Sequence, residues 1–348
     1  MMNLSKLTPL LLLSLAPLAA CSSGASGADE GTIMVVDGGG SYHDGMKKAI
    51  YEPCAKATGL KIVNSTFDYS VGQIKAQVEG AKEWDIVTYP TYVTEDEAAD
   101  YFTPIDYDVV DTEGVPDSAK HTYWVDYDLT GVALGYRTDK YSTPPTGWAD
   151  LWNVEDFPGP ATLEATTINQ NLELALLADG VAPKDMYPLD LDRAFAKLDE
   201  LMDQRKVSYF ASGADMVQNY TSGAATIGLS MSGRFIAAAE EGAPLAFAKD
   251  GTILASTSWA VLKTAPNPEA SMEFIKCAME AENQAAAANA IKGQYPVNPL
   301  AYDLLEPELK EIVPDITSED VLLENQEYWA ANFSDVQKRW QDWIASKS

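Results

Sequence analysis

Three kinds of residue in this chain have the type and spacing to do chemistry. Leu18-Ala19-Ala20-Cys21 follows a basic start with Lys6 and an apolar run from Pro9 to Leu18, which is the order of a lipoprotein signal. Cleavage before Cys21 would free its amine for acylation and leave its thiol for diacylglycerol transfer. The run is shorter than the roughly 20 apolar residues of a membrane-spanning helix. Arg234 is the second kind: a planar guanidinium can grip a carboxylate through two parallel hydrogen bonds, or it can pair with Glu240 or Glu241 further along its helix. The third is a set of aromatic residues, Tyr42, Tyr89, Tyr92, Trp259 and Tyr328, whose faces could wall a cationic ligand. Aromatic side chains more often fill a core. Tyr42 and Tyr92 stand apart because both fall in loops after strands, where the cleft of an α/β protein collects its contacts.

Other chemistries are poorly supplied. Gly228-Leu229-Ser230-Met231-Ser232 imitates a nucleophile elbow but lacks the closing glycine, and only His43 and His121 could serve as its base. Two histidines also leave little for a His-rich metal site. A tyrosine-carboxylate site for ferric ion would have to use Tyr89 and Tyr92, which are not adjacent. Gly38-Gly39-Gly40 lacks the lysine and hydroxyl residue that end a phosphate loop. No cofactor is expected. A formal net charge of -28, spread along the chain, argues against nucleic acid as a partner. Cys54 and Cys277 are compatible either with a disulfide in an oxidising compartment or with two buried thiols.

The elements that must position these residues alternate. Residues 1–20 read as a signal peptide and 21–30 as the lipidated cysteine with a Gly/Ser-rich leash. Thr32-Ile33-Met34-Val35-Val36 reads as a strand, and Met46, Ile50, Cys54 and Ala57 as one face of a helix stopped at Gly59. Strands at 60–67 and 84–87 flank a helix at 71–79. Beyond a strand at 132–136 comes a second α/β set: helices at 169–178, 191–204 and 214–221, and strands at 207–210 and 225–230. A strand at 259–262, two helices and a docking helix at 336–344 close the chain. About 320 mature residues exceed what one core usually serves, so two lobes are expected.

In family order, Gly39-Gly40-Ser41-Tyr42, Tyr51-Glu52-Pro53, Trp84-Asp85-Ile86-Val87, Gly135-Tyr136-Arg137-Thr138-Asp139 and Gly147-Trp148-Ala149-Asp150-Leu151-Trp152 are followed by Gln218-Asn219-Tyr220, Ser232-Gly233-Arg234 and Pro296-Val297-Asn298-Pro299. Together they resemble the extracellular solute-binding proteins of ABC importers, in the polyamine (spermidine/putrescine) branch. The resemblance implies an α/β, two-lobed periplasmic-binding-protein type II fold, with lobe 1 at 31–131 plus 258–302 and lobe 2 at 132–257 plus 303–348. It further implies capture of a small solute in the hinged cleft and no catalysis. The expected partners are an amine or amino-acid-like solute, an ABC permease and, through Cys21, the membrane of an extracytoplasmic compartment. Betaines and ferric ion are alternative solutes of the same fold.

The same resemblance places Gly39, Ser41, Tyr42, Tyr89, Tyr92, Gln170, Arg234, Thr257, Trp259 and Tyr328 at the ligand. It also exposes departures. Positions where polyamine binders carry acids fall on Thr257 and near Thr167 and Gln170, and Met231 stands where a tryptophan usually precedes the Ser232-Gly233 turn. In relatives that bind a linear amino acid such as 4-aminobutyrate, an arginine similar to Arg234 grips the carboxylate, while the amine-side acid again falls at Thr257. Asp37, Asp126 or Asp128 is left to supply a substitute carboxylate.

Overall fold

The structure, a computed structural model, describes residues 31–67, 70–89, 93–110, 113–165, 168–314, 316 and 318–347. The expected signal peptide, Cys21, the leash and Tyr92 lie outside the described residues.

Strand β1 (Thr32–Asp37) ends in Gly39 and Gly40, whose φ angles of 74° and 67° turn the chain through the left-handed region that favours glycine. Helix α1 (Gly40–Met46) continues through a π-helical stretch, Lys47–Tyr51, into α2 (Glu52–Thr58), and left-handed Gly59 stops it. Then come β2 (Lys61–Thr66), α3 (Val71–Ala76) capped by Ser70, β3 (Ile86–Thr88), α4 (Glu95–Tyr101) with a Thr94/Glu97 capping box, and β4 (Phe102–Thr103). The long β5 (Val125–Arg137) leads into β6 (Ala161–Glu164), α5 (Asn169–Ala178), α6 (Leu191–Gln204), β7 (Val207–Phe210) and α7 (Gly213–Thr221). After β8 (Ile227–Met231), α8 (Ser232–Glu240) and β9 (Leu245–Phe247), the chain returns along β10 (Ile253–Leu262). It ends with α9 (Pro268–Met279), α10 (Ala281–Ala290), β11 (Gln294–Pro296), α11 (Pro307–Ile312), β12 (Leu322–Leu323) and α12 (Gln326–Ser346).

These strands share one sheet whose main path runs β2-β1-β3-β10-β5-β8-β6-β7. Each end is parallel, as strand-helix alternation requires, while β10 and β5 are antiparallel to each other and to their outer neighbours. That central pair carries the chain between two hydrophobic cores. Leu129 packs in the first core and Val132 in the second; on β10, Ile253 packs in the second core and Leu254 in the first. The handover occurs at Gly131, which faces Leu254 across the ladder.

Several boundaries differ from the sequence reading. The strands expected at 132–136 and 259–262 are the apolar ends of β5 and β10, whose middles carry Asp126, Asp128, Thr130, Ser256 and Thr257 and hide the hydrophobic signal. The docking helix begins at Gln326 rather than 336, because Asn325 caps it. Leu254, Leu305, Leu309 and Val313 lie in the first core, and Leu322 in the second. Cys54 on α2 and Cys277 on α9 form a disulfide, with Cα atoms 5.8 Å apart, which settles the choice between a bridge and two thiols.

Candidate functional site

Where the two cores face each other, a cavity of about 340 Å³ opens between Tyr42 on α1, Thr130 on β5, Met231 at the end of β8, Arg234 on α8 and Gln294 on β11. Two close approaches shape it. Gly233 lies against the carbonyl of Lys292 and the Cα of Gly293, so that a Cβ on Gly293 would stand 2.3 Å from the Gly233 Cα. Beside them the Lys292 ammonium pairs with Glu240 at 2.5 Å. This pairing takes up one of the acids that could have neutralised Arg234. The exposed Arg234 guanidinium has no hydrogen-bond or ion-pair partner among the described residues, and its chain lies across Gly213 at the start of α7.

Behind the opposite wall sits Asp128, directly across the ladder from Thr257. It is 5 % exposed, and the Tyr42 hydroxyl donates to it at 2.9 Å. Tyr42 also shares a hydrogen bond with the Tyr127 hydroxyl. Oriented with its amide nitrogen toward this acceptor-rich neighbourhood, Gln294 donates to both Asp128 oxygens, at 2.7 and 3.2 Å. Burial pushes the Asp128 carboxyl up to about 7, against the hydrogen bonds from Thr257 and Tyr42, and the nearby Asp126 charge adds to the rise.

The other candidate acids are used internally. Asp37, fully buried, accepts from the Gly39 amide, the Tyr51 hydroxyl and the His43 ring, each at 2.8 Å, and so fixes the turn that presents Tyr42. Asp126 accepts from Ser258 Oγ at 2.5 Å and lies 3.5 Å from His121 Nε2. With His121, Ser256, Glu324 and Gln326 it lines a second cavity of about 280 Å³.

Of the ten residues named from sequence, the nine that the structure describes do not converge on one point. Tyr42 and Arg234 face each other across the first cavity, with Thr257 beside Asp128 behind it. Gly39 makes the turn before α1: its positive φ and the 2.9 Å that would separate a Cβ from Thr66 Cγ2 both favour glycine. Ser41 lies in the first turn of α1. Gln170 instead donates to Glu324 at 2.9 Å, at the second cavity. Trp259, 1 % exposed, is stacked under Tyr127 at 3.8 Å, so its ring supports the wall rather than forming it. Tyr89 is likewise internal, stacked on Trp124 at 4.2 Å with its hydroxyl donating to the Val93 carbonyl. Half-buried Tyr328 packs on Tyr187 and Trp329. Sequence reasoning missed Tyr127, Thr130 and Gln294; two acids at alternate positions in an apolar strand, Asp126 and Asp128, were the available signal for this face.

The elbow serine has no base beside it. Ser230 Oγ, fully buried, donates to the Ala133 carbonyl, and Ser232 Oγ donates to the carbonyl of Gly131. Among the described residues no group of three His, Cys, Asp or Glu side chains could hold a metal ion.

Comparison with known proteins identifies the architecture. The family of bacterial extracellular solute-binding proteins matches residues 49–315. The chain belongs to that family. It is 28 % identical over 339 residues to a gamma-aminobutyric acid-binding protein of Pseudomonas aeruginosa, covering 92 % of this chain and 93 % of that one. Among solved structures, an ABC transporter substrate-binding protein from Bradyrhizobium japonicum superposes with a TM-score of 0.81 at 31 % identity, covering 90 % of this chain and all of that one. The Atu4243-GABA receptor matches with a TM-score of 0.77 at 30 % identity over 90 % and 97 % of the two chains. This member is therefore a two-lobed solute-binding protein of an ABC transporter and not an enzyme. No helix among the described residues is long and apolar enough to cross a membrane.

Proposed function

We propose that this protein captures a small linear ω-amino acid of the 4-aminobutyrate type between its lobes and delivers it to an ABC permease. The observation that carries the reading is the unpaired Arg234 guanidinium at a cavity whose opposite wall is backed by the buried Asp128 carboxylate. A carboxylate at one end of the solute and an ammonium at the other match those two charges, and neither is bound without a partner. A polyamine fits less well, since it would set an ammonium against Arg234. The relatives' gamma-aminobutyric acid binding supports the same choice.

In this reading the lobes divide where the packing does: 31–131 with 254–313, and 132–253 with 322–347. The ligand stabilises the arrangement in which they close, by its difference in affinity for the open and closed states. A lipid on Cys21 holds the body at the outer face of the cytoplasmic membrane. A thermal-shift screen over ω-amino acids, polyamines, α-amino acids and betaines tests the ligand class, because a solute that binds only the folded protein raises its melting temperature. The reading requires the largest rise from a linear ω-amino acid; a rise from spermidine alone would refute it. For the anchor, fatty-acid labelling should disappear in Cys21→Ser, and label retained by that variant would remove lipidation from the account.

A further inference from the structure

The acid expected on β10 is absent, because position 257 is threonine, yet the neighbouring strand places a carboxylate directly opposite it. Tyr42 and Gln294 both line the cavity, and both turn a donor away from it, the Tyr42 hydroxyl and the Gln294 amide, onto Asp128. An amide that spends its N–H groups inward leaves its carbonyl oxygen to face elsewhere, and a phenol that donates inward keeps only acceptor capacity. The wall is thereby biased toward accepting hydrogen bonds, with a negative charge behind it to which, among the described residues, no cation is paired.

We propose that Asp128 is the specificity-determining residue for the solute's ammonium end: it positions Tyr42 and Gln294 as acceptors and supplies the charge that polyamine and 4-aminobutyrate binders of this fold draw from the position of Thr257. The assignment rests on the ω-amino-acid reading above. It makes selectivity, rather than general affinity, depend on Asp128. Butyrate, which has the carboxylate without the ammonium, gains nothing from this wall.

The groups facing Asp128 are Tyr42 from α1, Tyr127 and Asp126 from β5, Thr257 from β10 and Gln294 from β11, with His121 beyond Asp126. Burial pushes both the Tyr42 phenol and the Asp128 carboxyl up, so between pH about 5.5 and 8 the carboxyl is the one that changes charge against the ligand. Protonated Asp128 offers an ammonium no charge. Affinity for 4-aminobutyrate therefore rises with pH across this range, with proton release on binding.

Calorimetry on the full-length protein with 4-aminobutyrate and with butyrate, at several pH values, tests this. Asp128→Asn should weaken 4-aminobutyrate on the order of 10- to 100-fold, the worth of a contact to a charged group. It should leave butyrate unchanged and flatten the pH profile. The exchange Asp128→Thr with Thr257→Asp should recover most of the preference for 4-aminobutyrate, which a merely structural role for Asp128 does not predict. If the wild-type protein binds 4-aminobutyrate with no pH dependence, or if Asp128→Asn keeps the wild-type preference, the assignment is overturned while the ω-amino-acid reading stands. If the wild type binds no ω-amino acid, both fall together.

Discussion

The Tyr295 hydroxyl donates a hydrogen bond of 2.7 Å to Ser232 Oγ, joining the two lobes at the point where β5 passes from one core to the other. Ser232 in turn donates to the Gly131 carbonyl at 3.1 Å. The contact exists because position 131 has no side chain: a Cβ there would stand 2.6 Å from Tyr295 Cε2 and 2.8 Å from Ser232 Oγ.

Gly131→Ala is accordingly expected to separate the pair and to cost about 1–3 kcal/mol, the usual range for overpacking a tight site. Tyr295→Phe, which removes only the hydroxyl, should cost about 1 kcal/mol. Urea denaturation of both variants checks the order. If Gly131→Ala were as stable as wild type, the interlobe contact would not be the one described.

The bridge between Cys54 and Cys277 spans 223 residues of sequence and ties the helix after β1 to the helix after β10. Loops of that length give a cross-link a large effect on the unfolded chain, so Cys54→Ala with Cys277→Ala should lose about 2–5 kcal/mol. Denaturation with and without reductant measures it. A protein indifferent to both changes would mean that the two thiols are not joined.

How much of this was readable from residues alone differs between fold and site. Strand-helix alternation at 32–87 and again at 169–230 was legible because the short apolar runs of β1, β3 and β8 are buried and α6 buries one face through Ala194, Phe195, Leu198 and Leu201. The crossing strands were not, since Asp126, Asp128, Ser256 and Thr257 are polar residues inside a ladder and break the pattern that marks a strand. Tyr42 was found by its position in a loop after a strand, and Arg234 by resemblance to relatives that bind a linear amino acid. Gln294 was invisible because its role depends on β11 pairing with β5 more than 160 residues away in sequence. Trp259 and Tyr89 carried the correct chemistry but face inward, a distinction that a sequence does not contain.

A buried pair of carboxylates gives the protein a stability that depends on pH. Glu173 on α5 accepts from Trp329 Nε1 at 2.7 Å and from the Tyr187 hydroxyl, and Glu324 accepts from Asn169 and Gln170. Burial pushes Glu173 up to about 7 and Glu324 upward as well, with repulsion from Glu173 adding to the latter. Carboxyls raised in this way favour folding below their unfolded pKa of about 4, and that contribution is lost as pH rises through the folded value. The ligand-free protein should therefore melt lower at pH about 8.5 than at about 5.5. Glu173→Gln should reduce that slope, leaving the part that Glu324 and Asp128, also raised by burial, contribute. A variant with the full wild-type slope would show that the pair does not hold a proton.

The most direct test of the account is titration calorimetry of 4-aminobutyrate against wild type and Arg234→Ala at neutral pH. Arg234 faces the cavity with no partner among the described residues, so removing it leaves the solute carboxylate unpaired, at a cost of about 2–5 kcal/mol. The account predicts saturable one-to-one binding by the wild type and a loss of at least about 30-fold in the variant. Equal affinity of the two proteins for 4-aminobutyrate would contradict it, by making Arg234 a surface residue and the solute's carboxylate irrelevant to recognition.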